Sequence, residues 1–94
     1  MAEYRGLWME LTDPRMLASY MEYRGMSVRD LAASARIPSG GGRTKPLSHS
    51  VIGHLRTGHR RTCTPQTAGT IERALQVPPG ILFRVKVAAH VTAA

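Results

Sequence analysis

His49 and His54, with Ser50 and Gly53 between them, lie in the stretch 47–61, Leu-Ser-His-Ser-Val-Ile-Gly-His-Leu-Arg-Thr-Gly-His-Arg-Arg. An imidazole can donate to or accept from the edge of a base in a major groove, and a serine hydroxyl does either with any base, so it discriminates poorly. Glycine adds no side chain and lets a backbone come close. For these groups to act together they must share one face of a helix. Ser48 is a suitable N-cap, because its hydroxyl can accept from a free amide of the first turn. Val51, Ile52 and Leu55 make the opposite, apolar face, and Gly58 is a left-handed stop. His59, Arg60 and Arg61 place charge just past the helix end. The stretch therefore reads as a short helix that puts polar side chains into a DNA groove.

The distribution of charge points the same way. Between Asp30 and Glu72 there is no acidic residue, and that window holds Arg36, Arg43, Lys45, Arg56, Arg60 and Arg61. Residues 1–30 are near neutral, so the formal +7 comes mainly from the middle of the chain. A one-sided basic zone is the footprint of a polyanion partner. Arg43, Lys45, Arg60 and Arg61 are expected on phosphates, where they set affinity and salt dependence rather than sequence choice, and Arg56 suits either role.

Other chemistries fit less well. His49, His54, His59 and His90 include no i,i+4 pair, and Cys63 completes no ligand spacing, so no metal is expected. Ser48 and Ser50 near His54 have no orienting acid, and Asp30 and Glu72 are accounted for by capping and solvation. No catalytic residue and no cofactor are expected. The run Gly40-Gly41-Gly42 lacks a following Gly-Lys-Ser/Thr and a leading strand, so it is not a nucleotide-binding loop.

A chain of 94 residues makes one domain with one modest core, and 43% hydrophobic content argues against wholesale disorder. Aromatics are few, so stacking on exposed bases is not the expected mode. The lone Cys63 allows no internal disulfide. No apolar run approaches the roughly 20 residues of a membrane span, and no signal pattern opens the chain. A soluble cytoplasmic protein is the expectation.

The periodicity predicts an all-α domain of five helices. Residues 1–12 form an arm, as extended chain or short helix, that packs Tyr4, Leu7, Trp8, Met9 and Leu11 on the core. The main domain covers 13–83. Helix 1 starts at Thr12 or Asp13 with Pro14 in its first turn, and ends near Arg24 before Gly25. Its stripe of Met16, Leu17, Tyr20 and Met21 is core. Helix 2 runs over about 28–35, with Ser27 and Asp30 approximating a capping box. Residues 37–47 read as a flexible basic loop, because three glycines bracketed by Pro38 and Pro46 hold no regular element. Helix 4 covers about 64–76, and Pro79 starts a short fifth helix with Ile81, Leu82 and Phe83. In the tail, 84–94, the alternation from Phe83 to Ala88 suggests a strand that must pair with the N-terminal arm or with a second copy.

Three segments in this order resemble the phage repressor and Cro-like helix-turn-helix family. They are Met26-Ser27-Val28-Arg29-Asp30-Leu31-Ala32, then Leu47 to Gly58, and then Ile71-Glu72-Arg73-Ala74-Leu75-Gln76-Val77 with Leu82-Phe83. The resemblance covers about residues 14–83. It implies base reading by His49, Ser50 and His54 with Gly53 between, and backbone contacts from Thr57, Arg60 and Arg61. It also implies a homodimer on double-stranded DNA, with half-sites about one helical turn apart. The chain departs from the family in its extended connection between helices 2 and 3. Val28 stands in place of a bracing glutamine, and Arg56 in place of an acid. The implied function is a sequence-specific transcriptional regulator, of phage or mobile-element type, acting at an operator in a bacterial or phage-infected cell. The alternative is an antitoxin-type module whose apolar ends, Tyr4 to Leu11 and Ile81 to Val91, grip a protein partner.

Overall fold

The computed structural model describes residues 7–87. Tyr4, His90 and Val91, and with them part of each expected terminal element, lie outside the described residues. The elements run β1 (Leu7–Leu11), α1 (Pro14–Tyr23), α2 (Val28–Ser34), β2 (Arg36–Gly40), β3 (Arg43–Pro46), α3 (His49–Thr57), β4 (Thr62–Cys63), α4 (Pro65–Leu75) and β5 (Phe83–Val87). The fold is therefore mixed, four helices with two antiparallel sheets, and not the all-α, five-helix domain that periodicity predicts.

Helix boundaries follow from local chemistry. The Asp13 carboxylate accepts from the Arg15 amide at 2.9 Å, and Pro14 occupies the first turn, where its missing N–H costs nothing. Ser27 and Asp30 close a full capping box, with bonds of 3.1 and 3.0 Å, and the bond from Ser27 holds the Asp30 carboxyl below its usual range. Thr64 caps α4 by accepting from the Thr67 amide. The far end of α4 is capped from α1. Arg24 donates to the carbonyls of Leu75 and Gln76 at 2.9 and 3.3 Å, which places a cation on the negative end of the helix dipole.

The corrections all concern pairing. The expected fifth helix does not form. Pro78–Gly80 is a turn, with Gly80 at φ +91°, and the buried Glu72 carboxylate holds that turn by accepting from the Gly80 amide at 3.3 Å. Glu72 is thus spent inside the protein rather than solvated. The Leu82 carbonyl accepts from both the amide and the hydroxyl of Thr12, so the chain stays extended and enters β5 at Phe83. The N-terminal arm is likewise a strand. β1 lies between β4 and β5, pairing Met9 with Cys63 and Val85, and Leu11 with Phe83. The tail strand therefore pairs within its own chain.

The glycine segment is not a loop but a hairpin. Its two-residue turn is Gly41-Gly42, with φ +60° and +77°, the positive angles that a type I′ hairpin turn requires. Pairing shifts between Pro38 and Gly40, leaving Ser39 as the extra residue of a bulge. Arg36 clasps the opposite strand, its guanidinium donating to the hydroxyl and the carbonyl of Thr44, both at 2.9 Å.

One core joins these parts. Leu17 and Met21 of α1, Leu31 and Ala32 of α2, Ile52 and Leu55 of α3, and Ala68, Ile71 and Leu75 of α4 meet Leu11 and Phe83 of the terminal strands and Leu82 just before β5. Gly58, at φ +85°, ends α3 against α1, and a Cβ there would stand 3.3 Å from Pro14 Cγ. Gly58→Ala should cost about 1–2 kcal/mol for the left-handed backbone alone, and more for the Pro14 contact. A urea midpoint equal to that of the wild type would contradict this account.

Candidate nucleic-acid interface

α3 presents two sides of opposite chemistry. Ile52 and Leu55 are fully buried and Val51 is half-buried, while His49, Ser50, His54, Arg56 and Thr57 are exposed and Gly53 is half-buried. At about 100° per residue, those last six residues share an arc of roughly 160°. That arc contains no acid. The helix is held from three sides. Ser48 accepts from the Ser50 amide at 3.1 Å, the buried Leu47 donates its amide to the Ala35 carbonyl at 2.9 Å, and Gly58 abuts Pro14.

Gly53 has no structural need within the described residues. A Cβ built there meets nothing within 4 Å, and its backbone is helical, so no positive φ demands glycine. Glycine in a helix interior costs about 0.5–1 kcal/mol against alanine. A bare backbone at the centre of the wet face leaves room for something outside the chain.

The end of α3 brings His59, placed by the sequence just past the helix but given no contact role, onto the wet face. The Arg60 amide donates to the His54 carbonyl at 3.0 Å, folding the chain back over the last turn. His59 thereby lies beside His54, their ring centroids 4.9 Å apart. The left-handed Gly58 was the available signal for this reversal. Two imidazoles do not make a metal centre, and no cluster of three such ligands occurs among the described residues.

The basic residues divide. Arg43, Lys45, Arg56, Arg60 and Arg61 are all exposed, and no ion pair joins any of them, or Arg36, to a carboxylate among the described residues. Lys45 and Arg60 are brought together. With Ser48, Thr64 and Thr67 they line a groove of about 330 Å³ between the hairpin and the starts of α3 and α4. Arg60 is braced there by its own Nε, which donates to the Thr62 carbonyl at 2.9 Å. Arg61 faces away. Its guanidinium donates to the Thr12 carbonyl at 3.4 Å, and its charge helps to lower the pKa values of Glu10 and Asp13. The Thr57 hydroxyl is also partly committed, donating to the His54 carbonyl and accepting from the His59 amide.

The tail cations Arg84 and Lys86 differ from those in mid-chain. Both meet Glu10, Arg84 at 3.0 Å and Lys86 at 3.6 Å, and the Arg84 hydrogen bond is the main cause of the lowered Glu10 pKa. Comparison of the chain with known protein families, with characterised proteins and with solved structures gives no match. The likeness to the repressor family therefore rests on the residue pattern alone.

Two measurements test this geometry. Gly53→Ala should stabilise the protein by about 0.5–1 kcal/mol in urea unfolding, whereas a loss of stability would mean that the space beside it is filled. Cys63 lies at the bottom of the groove, and burial pushes its thiol from the ordinary 9.0 up to about 11, a rise that the nearby Arg60 partly offsets and Glu72 reinforces. A folded-state value above the unfolded one means stability is constant with respect to this thiol below its unfolded pKa, and falls as the pH rises from 9 towards 11. At pH 8 a thiol reagent should react with the unfolded protein far faster than with the native one, and equal rates would refute the burial.

Proposed function

We propose that the protein is a sequence-specific double-stranded-DNA-binding regulator. α3 is the reading helix, and the basic residues around it grip the backbone. The observation that carries this reading is the wet face of α3, which is acid-free, centred on a glycine with open space before it, and surrounded by cations that have no carboxylate partner among the described residues. His49, Ser50 and His54 take the base edges, with Gly53 allowing close approach. Lys45, Arg56 and Arg60 take phosphates. Arg61 has a minor part, because it turns towards Thr12. The likeness to repressor and Cro-like proteins supports an operator-binding role, a homodimer on half-sites about one turn apart, and a cytoplasmic setting. No helix among the described residues is long and apolar enough to cross a membrane.

A second reading, a module that grips another protein, is favoured by the surface of the terminal sheet. Trp8 is 38% exposed on one face of that sheet and Val85 59% exposed on the other, with Ile81, just before β5, at 37%. Release of a stoichiometric, unlike partner by Val85→Asp would favour this reading. Such a role is compatible with DNA binding by α3.

Selection of sites from random duplex DNA at physiological salt tests the main reading, and an enriched inverted repeat is expected. Arg56→Ala and Arg60→Ala should each weaken binding to all duplexes and reduce the salt slope by about 0.9, with a smaller effect for Arg61→Ala. His54→Ala should instead relax preference at one base pair, at a cost of roughly 1–3 kcal/mol. Gly53→Ala should lower affinity even as it raises stability. Unchanged affinity across these variants would remove α3 from the interface.

A further inference from the structure

The hairpin β2–β3 is placed to do more than add charge. β3 leads through Leu47 and Ser48 directly into α3, so the hairpin starts at the N-terminal end of the reading helix. Its residues are exposed throughout, apart from the half-buried Ile37 at its base. At about 3.3 Å per residue, its strands give an arm on the order of 13–16 Å long. Gly40, Gly41 and Gly42 form the tip, and a Cβ added to any of them meets nothing within 4 Å. The end of the arm is thus a ribbon of bare backbone standing in the open. Pro38 and Pro46 remove amide donors near its two ends, which limits pairing with other strands. Arg36 is spent on Thr44, and Lys45 lines the groove with Arg60. Arg43 is the first side chain after the tip, exposed and with no carboxylate partner among the described residues.

We propose that this hairpin is a minor-groove arm, and that Arg43 reads A·T-rich sequence flanking the site held by α3. The proposal rests on the DNA-binding reading above and extends it to a second reading element. With α3 in the major groove, an arm from its N-terminus meets the phosphate strand that bounds that groove, and the arm is long enough to cross it. The groove beyond is only about 6 Å wide. Paired strands lie about 4.8 Å apart axis to axis, so the ribbon stays at the mouth of such a groove, and a tip without side chains lets it come close enough for the slender Arg43 side chain to reach in. Narrow A·T tracts concentrate negative potential and draw arginine, whereas a G·C pair places an amino group on the minor-groove floor.

The test uses the duplex recovered by site selection, with the base pairs flanking the α3 contact made A·T, G·C or inosine·cytosine. An inosine·cytosine pair keeps the major-groove edge of G·C but lacks the minor-groove amino group. The wild type should bind the A·T and inosine·cytosine flanks alike and the G·C flank roughly tenfold less tightly, the scale of one base-pair discrimination. Arg43→Ala should abolish that difference while leaving the preference within the α3 site intact. Gly41→Asn creates an Asn-Gly turn, which suits a type I′ hairpin and keeps the arm folded. It also adds a side chain at the tip, and should likewise reduce the flank preference. If the wild type ignores the flank but retains its site preference, the arm is wrong and the reading of α3 stands. If inosine·cytosine behaves like G·C, the flank is read from the major groove and the proposal is overturned. If no duplex is preferred at all, both readings fall.

Discussion

The structure depends on β1 having a partner on each side. A strand in the middle of a sheet must satisfy its amides and carbonyls on both edges, because an orphaned buried polar group costs about 1–3 kcal/mol. β1 is served by β4 on one edge and β5 on the other, and the Leu11 amide adds a 2.7 Å bond to the Arg61 carbonyl. This pairing seals the core at Leu11 and Phe83, both fully buried. It also fixes the chain just after α3. β4 cannot pair with β1 unless the end of α3 turns back at Gly58, and that turn places Arg60 in the groove beside Lys45. The position of the candidate interface is therefore a consequence of how the chain ends are stitched together.

Stability and proposed function occupy different faces of the same elements. α3 is anchored through Ile52 and Leu55 and leaves its other side largely exposed. The hairpin is anchored at its base, through Ile37 and the Leu47 amide, and stands free at its tip. Cations follow the same division. Those on the terminal sheet are matched to Glu10, and Arg24 is used to cap α4, whereas those around α3 and on the hairpin tip meet no carboxylate among the described residues. An unmatched positive zone raises the free energy of the isolated fold slightly through self-repulsion, and a polyanion relieves it.

Four helices were legible in the sequence because their signals are local. Ser27 with Asp30, Thr64 with Pro65, and the left-handed Gly58 each act within one turn, and a stripe such as Leu17 and Met21 needs only its own spacing. The exposed residues of α3 were legible for the same reason, since an apolar face defines a polar one. The sheets were legible only in part: the alternation from Phe83 to Ala88 suggests the tail strand and offers the N-terminal arm as one of two partners, but the register and β4 leave no local trace. Leu7 pairs with Val87 across nearly the whole chain, and β4 is only two residues long, too short to show any alternation. The glycine run misled in a specific way. Its positive φ values, read as freedom, are the requirement of a tight hairpin turn.

Composition, caps and helical spacing alone determined that the chain has a basic middle and four helices, the third with one apolar and one wet face. Only the tertiary structure decided that Leu7–Leu11 is a strand and takes the tail strand as its partner within the chain, that the connection before α3 becomes a hairpin, and that Arg60 and Arg61 part company. The reason is physical. A helix closes its hydrogen bonds within a few residues and so announces itself locally, whereas a strand satisfies its backbone only on a neighbour that folding must bring from elsewhere.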